Sequence, residues 1–376
     1  SGRPARGAAS GQPWPEAAPT VRWGRRRDLD AGRPRRAWCG PAGVTGRAGH
    51  GRTGSMSADP FGPVIRDLLT RHLAAWVPDA LRRSRRATFV QAYARPGHGT
   101  AEAALRALGD LAGPPRARQL TAVTLVAPED EFLARHSTTA AALPAVVTAH
   151  AVPGDVDRLP VLLKASGAAA APVLTYLDTR GGPPPRTDLF AAVAAGRPAE
   201  LLLVCDPSAR PDTDLRQRLD RLGLSLLTEV ELVAGARGEG EATGATRLVF
   251  TTGHGRRLDA FKDALWAVAE HAGVRYRDPG DPEGHLLDVS PAPETGPLRR
   301  NLLDRLARLG SATVAELRHF AAERTVYRAG DAVRVLDDLL AAGLVDREPA
   351  TGRLSGEVVI HARRQAGAVP PQRRTG

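Results

Sequence analysis

Lysine, cysteine and methionine are almost missing from this chain. Of 376 residues only Lys164 and Lys262 are lysine, only Cys39 and Cys205 are cysteine, and Met56 is the one methionine. Two cysteines exclude a framework of disulfides and cannot build a zinc site alone. No H-x-x-x-H or Cys/His spacing marks a metal centre. No run approaches the ~18–20 apolar residues of a membrane span. The N-terminus lacks the apolar core of a signal peptide. No internal repeat is present. With 42% hydrophobic and 25% charged residues, the expectation is a cytoplasmic globular protein with no membrane partner, long enough for two or three domains.

The basic charge of +11 is unevenly spread. Residues 1–55 hold 11 Arg against Glu16, Asp28 and Asp30, a net of +8, and the other 321 residues hold +3. The charge is thus a property of the extension and says little about a nucleic-acid surface on the body. That extension is Gly, Pro, Arg and Ala without an apolar period, so it cannot bury enough surface to offset its chain entropy. We expect residues 1–55 to be disordered and translation to start at Met56, directly before the first helical pattern. The competing reading is a basic arm for nucleic acid or membrane.

Strands and helices then alternate. Val64, Ile65, Leu68, Leu69, Leu73 and Trp76 recur at helical spacing within Phe61–Ala80. Thr88–Ala94 reads as a buried strand, followed by a glycine-bearing turn and a helix from Glu102 to Leu111. Strand, Gly turn and helix form the first unit of a nucleotide-type α/β fold. Further strands are expected at Leu120–Ala127, Pro172–Leu177, Glu200–Cys205, Ser225–Val233 and Thr246–Thr252. Helices are expected at Asp157–Ala165, Thr187–Ala195, Asp214–Leu222 and Leu258–Ala272. The alternation argues for a Rossmann-like, mostly parallel sheet covered on both faces, within a domain over residues 56–290.

The last ~80 residues change character. Helices over Leu298–Leu309, Val314–Ala322 (capped by Thr313) and Asp331–Ala342 precede strands at Leu344–Arg347 and Glu357–Ile360. Three short helices and a two-strand ribbon predict a winged-helix domain over residues 297–365, before a disordered tail at 366–376. The third helix carries Asp331, Asp337 and Asp338 against Arg334, a poor composition for meeting phosphates. Nucleic-acid binding is therefore expected to be weak, and a protein contact is the stronger reading.

Several segments together resemble the three-Cys-motif partner (TcmP) family. Its "YLxxW" element is similar to Arg71-His72-Leu73-Ala74-Ala75-Trp76, and its "YIDGFAGPG" motif to Phe89-Val90-Gln91-Ala92-Tyr93-Ala94-Arg95-Pro96-Gly97. Its "DPFG" resembles Asp178-Thr179-Arg180-Gly181. Its "F-T-N-H … MKDAMW" resembles Phe250-Thr251-Thr252-Gly253-His254 and Phe261-Lys262-Asp263-Ala264-Leu265-Trp266. Its closing motif resembles Thr325-Val326-Tyr327 with Leu336, Leu339 and Gly343. The pieces span roughly residues 60–345 in order. The resemblance implies a class I methyltransferase-like domain, S-adenosylmethionine as cofactor and a partner of the radical iron–sulfur type carrying the three-Cys motif. The departures mark a diverged member: Gln91 for Asp, Arg95 for Gly, and Thr179 and Arg180 for Pro and Phe.

The candidate cofactor-binding residues are Gln91, Tyr93, Gly97, Gly99, Glu129 and Asp178. Gly97 and Gly99 allow close backbone approach to a ligand, or serve an ordinary strand–helix turn. Gln91 can accept from an amino group, but without the charge an acid would add. Glu129 fits a ribose contact, or belongs to the solvated first turn of a helix. Asp178 ends an apolar strand where a carboxylate faces the ligand crevice, or forms an Asx turn. Lys262 and Trp266 share a helix face, which favours packing of the lysine stem on the indole. His254 follows a strand with nothing nearby to orient it. No catalytic residue is assigned. Two functions remain open: an S-adenosylmethionine-dependent methyltransferase-like protein, and a non-catalytic winged-helix adaptor that binds protein or DNA.

Overall fold

A computed structural model describes residues 59–94, 99–111, 118–126, 129–169, 171–207, 213–235, 242–268 and 273–363. The expectations for residues 1–55, Arg95, Gly97, Ala127 and 366–376 lie outside these.

The run Thr88-Phe89-Val90, made of β-branched and aromatic residues, forms the centre of strand β1 (Arg86–Tyr93), buried from its second residue onward. Helix α1 (Gly62–Arg83) precedes it and α2 (Thr100–Leu111) follows. The chain continues through β2 (Gln119–Val126), α3 (Asp130–Ala141) and β3 (Val147–Pro153). Next come α4 (Leu159–Ala165), β4 (Val173–Asp178), α5 (Thr187–Val193), β5 (Ala199–Cys205) and α6 (Thr213–Arg221). A hairpin of β6 (Leu226–Gly235) and β7 (Ala242–Thr252) leads to α7 (Gly255–Ala267), then β8 (Val274–Arg277) and β9 (Leu286–Asp288).

These nine strands form one sheet in the order β3-β2-β1-β4-β5-β7-β6-β8-β9. The pairs β3–β2, β2–β1, β1–β4 and β4–β5 are parallel. Strand β7 enters antiparallel between β5 and β6. The fold is α/β and Rossmann-like. Strand side chains alternate between faces. Phe89, Tyr93, Tyr176, Leu202 and Phe250 join the core that contains α1, α2 and α7. Val90, Ala92, Leu177, Leu201 and Cys205 join the core beneath α4, α5 and α6.

Helix α3 was expected only as the alternative reading of Glu129, and strands β3, β8 and β9 were not expected. The reason for the first two is weak amphipathicity. Only Phe132 and His136 of α3 are buried, and β3 is an edge strand with one buried residue, Val147.

The C-terminal segment holds α8 (Gly296–Leu309), β10 (Ser311–Thr313), α9 (Val314–Arg324), α10 (Ala329–Ala341), β11 (Val345–Glu348) and β12 (Val359–Ala362). The strands form an antiparallel sheet in the order β10-β12-β11. Thr313 caps α9 as expected, and Glu316 returns the bond to close a capping box.

Helix α7 grips the corner between α9 and α10. Trp266 Nε1 donates to the Val326 carbonyl at 3.0 Å, and Val326 N donates to Asp278 Oδ2 at 3.1 Å. Lys262 is buried, and its ammonium donates to the Thr325 carbonyl. Tyr327 OH reaches the Glu294 carbonyl at 2.7 Å. No helix among the described residues is long and apolar enough to cross a membrane.

Candidate functional site

The chain leaves β1 toward β2 and β3 on one side, and returns to β4 and β5 on the other. The parallel strands thus change direction between β1 and β4. A crevice opens at the carboxyl ends of the strands at such a point. A cleft of about 690 Å³ lies there. Its walls are Tyr93 and Ala94 after β1, residues 153–158 after β3, and residues 181–185 after β4.

One glycine brings two of these walls together. A Cβ on Gly182 would stand 2.7 Å from the Ala94 Cβ, so only glycine lets the β4 loop close on β1. Gly154 has φ +157°, and a Cβ there would meet the Arg158 side chain at 2.7 Å. The wall of Gly154, Asp155 and Val156 was missed in sequence because the strand before it was missed. The Pro-Gly-Asp triplet at 153–155 was the available signal.

Gln91 is fully buried and bonded within the protein. Its Nε2 donates to Thr124 Oγ1 at 2.8 Å and to the Ala101 carbonyl at 3.3 Å, and Tyr93 OH donates to its Oε1 at 2.9 Å. His136 Nε2 shares Thr124 Oγ1 at 2.9 Å. A neutral amide suits this buried network, because an ion there would need a charged partner. Burial pushes the Tyr93 hydroxyl well above its ordinary value, helped by Asp178 and Glu102. Burial pulls His136 down.

Asp178 ends β4 and is 8% exposed. Its carboxylate accepts a fork from Arg180: Nε to Oδ1 at 3.0 Å and Nη2 to Oδ2 at 2.7 Å. The Arg180 backbone N–H adds a bond at 3.2 Å, and Tyr176 OH lies at 3.5 Å. Arg180 Nη1 also reaches Asp59 Oδ2 at 2.9 Å. Burial pulls the Arg180 pKa down, but its bonds to Asp178 and the charges of Asp178 and Asp59 outweigh that and leave it raised. The Asx-type bond and the position near the crevice thus occur together.

The other candidates are dispersed. Gly99 has φ +74° and opens α2. Glu129 is exposed at the start of α3 and makes no capping bond. Gly97 lies outside the described residues. His254 precedes α7 and is exposed. Lys262 lies at the α9–α10 corner, where its ammonium bonds a backbone carbonyl. Among the described residues no cluster of three or more His, Cys, Asp or Glu could hold a metal.

The chain matches no protein-family model, and no curated protein is similar to it in sequence. Solved structures are similar at low identity. A SAM-dependent methyltransferase from Agrobacterium tumefaciens is 10% identical over 48% of this chain and 61% of its own length, with a TM-score of 0.32. The chain therefore spans less than two thirds of that enzyme. Precorrin-6y C5,15-methyltransferase from Geobacter metallireducens is 12% identical over 50% of this chain and 86% of its own, with a TM-score of 0.30. Spermidine synthase from Thermotoga maritima is 10% identical over 52% and 62%, with a TM-score of 0.31. Likeness this distant leaves the activity to the chain's own topology and residues.

Proposed function

We propose that this chain is a diverged class I methyltransferase-like protein that binds S-adenosylmethionine, or its demethylated product, in the cleft between the ends of β1 and β4. The observation that carries this is the strand order 3-2-1-4-5-7-6 with an antiparallel seventh strand, the arrangement of class I methyltransferases, with the cleft at the switch point of that order. A cavity of about 690 Å³ suits a nucleoside-sized ligand. Methyl transfer is a displacement at carbon by a positioned acceptor, so such a site acts chiefly by holding donor and acceptor in line.

In this reading the C-terminal segment, residues 297–365, is a winged-helix domain that contacts protein, including a three-Cys-motif iron–sulfur partner. Buried Asp331 binds Arg328 and Arg334, so two cations of the presumed recognition helix and its approach are engaged internally. Strong duplex-DNA binding is not expected of it.

The adaptor reading has its own support. Gln91 and Asp178, the polar groups of β1 and β4, are satisfied within the protein. Isothermal titration with S-adenosylmethionine and S-adenosylhomocysteine separates the two. Saturable binding with a raised melting temperature supports the methyltransferase-like reading. Ligand at ~100 times Kd adds about 2.7 kcal/mol of stability. No heat and no shift at millimolar ligand would transfer the proposal to the adaptor.

A further inference from the structure

Three arginines from three elements converge on a second cleft, of about 380 Å³. Arg216 comes from α6, Arg247 from β7 and Arg324 from the last turn of α9. Glu229, Asp278 and Glu323 complete the charged wall. The cleft lies where the chain after β8 meets the C-terminal segment. Asp278 ties the two together, accepting from Gly280 N at 2.8 Å and from Val326 N at 3.1 Å. This cleft shares no residue with the one between β1 and β4.

The acids of this wall are engaged within the protein. Each oxygen of Asp278 takes one of those backbone donors. Glu323 Oε2 lies 3.1 Å from His319 Nε2. Glu229 lies between Arg216 at 3.7 Å and Arg247 at 3.6 Å. The cations are matched less fully. Arg247 is 2% exposed and its Nε is buried without a hydrogen-bond partner. It shares Glu231 with Arg277, whose Nε donates to Oε2 at 2.8 Å. Among the described residues no hydrogen bond or ion pair engages the exposed Arg324 guanidinium. Burial pulls the Arg216 pKa down and the like charge of Arg324 adds to this, against the opposing pull of Glu229 and Glu323. Two cations on different elements thus repel each other at one opening. A guanidinium offers paired N–H donors to an oxyanion. Two of them from different sides call for an acceptor with several oxygens and a charge above one. A phosphate group has both at neutral pH, and a single carboxylate has neither. The free volume suits a small molecule.

We propose that this cleft binds a phosphate group, free or as the monoester of a small molecule, held between Arg216 and Arg324 in the positive field of Arg247. The bound anion removes the repulsion between the two outer arginines. It also joins α6 to the end of α9, and so fastens the C-terminal segment to the α/β body. The proposal is independent of the methyltransferase-like reading.

The test is isothermal titration of the full chain with inorganic phosphate, glycerol 3-phosphate and acetate, at an ionic strength held constant with sodium chloride. The parent should bind phosphate at one saturable site, and acetate at least about tenfold more weakly. Arg324→Gln and Arg216→Gln should each weaken phosphate binding about tenfold or more, the worth of one charge-assisted contact. Arg353→Gln, which alters an exposed arginine between β11 and β12, should bind as the parent does. The arginines of residues 1–55 are common to all four proteins, so their contribution cancels. Glycerol 3-phosphate that binds as tightly as inorganic phosphate upholds the site and assigns it to a monoester. Binding of inorganic phosphate alone upholds it for the free ion. No saturable binding of either, acetate as tight as phosphate, or equal weakening by R353Q and R324Q overturns the proposal. Arg324 is exposed, so R324Q leaves the core untouched; should R216Q not fold, R324Q against R353Q decides.

Discussion

Replacing Lys262 with methionine should change how the protein's stability depends on pH. Lys262 is 1% exposed. Burial pulls its pKa down to about 7, against the opposing pull of Asp278 and Asp331. An unfolded lysine titrates near 10.4. Below pH ~7 both states hold the proton, so the slope from this group is flat. Above it the unfolded chain binds more protons than the folded one, and stability rises with pH. A group titrating at about 7 when folded contributes about 2 kcal/mol of added stability between pH 7 and pH 9. The rise from this group continues until the unfolded lysine itself loses its proton near 10.4. Burial pushes the Cys205 thiol up to about 12, so its unfolded form releases a proton first and stability then falls. Parent and K262M share that fall, and their difference removes it. K262M also takes a donor from the Thr325 carbonyl, which keeps a longer bond from Thr228 at 3.4 Å; this offset does not vary with pH. Burial raises the Asp278 pKa, and losing Lys262 raises it further, so the comparison starts at pH 7. Urea unfolding followed by circular dichroism at pH 7, 8 and 9 is the assay. The stability of the parent relative to K262M should grow by about 2 kcal/mol across that range. Curves that stay parallel within ~0.5 kcal/mol would show that Lys262 keeps its proton throughout, and would refute the reasoning.

Arg180→Ala should cost about 2–3 kcal/mol in urea unfolding, because it strands the Asp178 carboxylate; the 21% exposure of the Arg180 side chain keeps this below the full price of breaking a buried pair. Adding Asp178→Asn should restore part of the loss, and no recovery would place the cost elsewhere. Trp266→Phe removes the donor to the Val326 carbonyl and should destabilise by about 1–3 kcal/mol in the same assay. Thr313→Ala opens the capping box of α9 and should lower stability by about 1 kcal/mol. A Thr313→Asp variant should keep most of it.

The helices and central strands were legible because their apolar residues repeat at the period of the element. The β1 expectation, Thr88–Ala94, differs from the observed Arg86–Tyr93 by two residues at one end and one at the other. The Thr313 cap was legible for a similar reason, since Thr313 and Glu316 are three apart and close their bonds locally. Helix α3 and strand β3 were not, because one exposes most of its surface and the other is an edge. Missing β3 also hid the cleft wall that follows it.

The sequence by itself determined α1, the central strands β1, β2, β4 and β5, most of the helices between and after them, and the Thr313 cap. Each rests on interactions between residues close in the chain. Tertiary structure alone decided which polar atoms meet. Gln91 and Thr124 are 33 positions apart, Arg180 and Asp59 are 121 apart, and Lys262 and Thr325 are 63 apart. Those pairs follow from strand order and from which helix covers which face. Strand order is set by the packing of whole faces, and no local period encodes it.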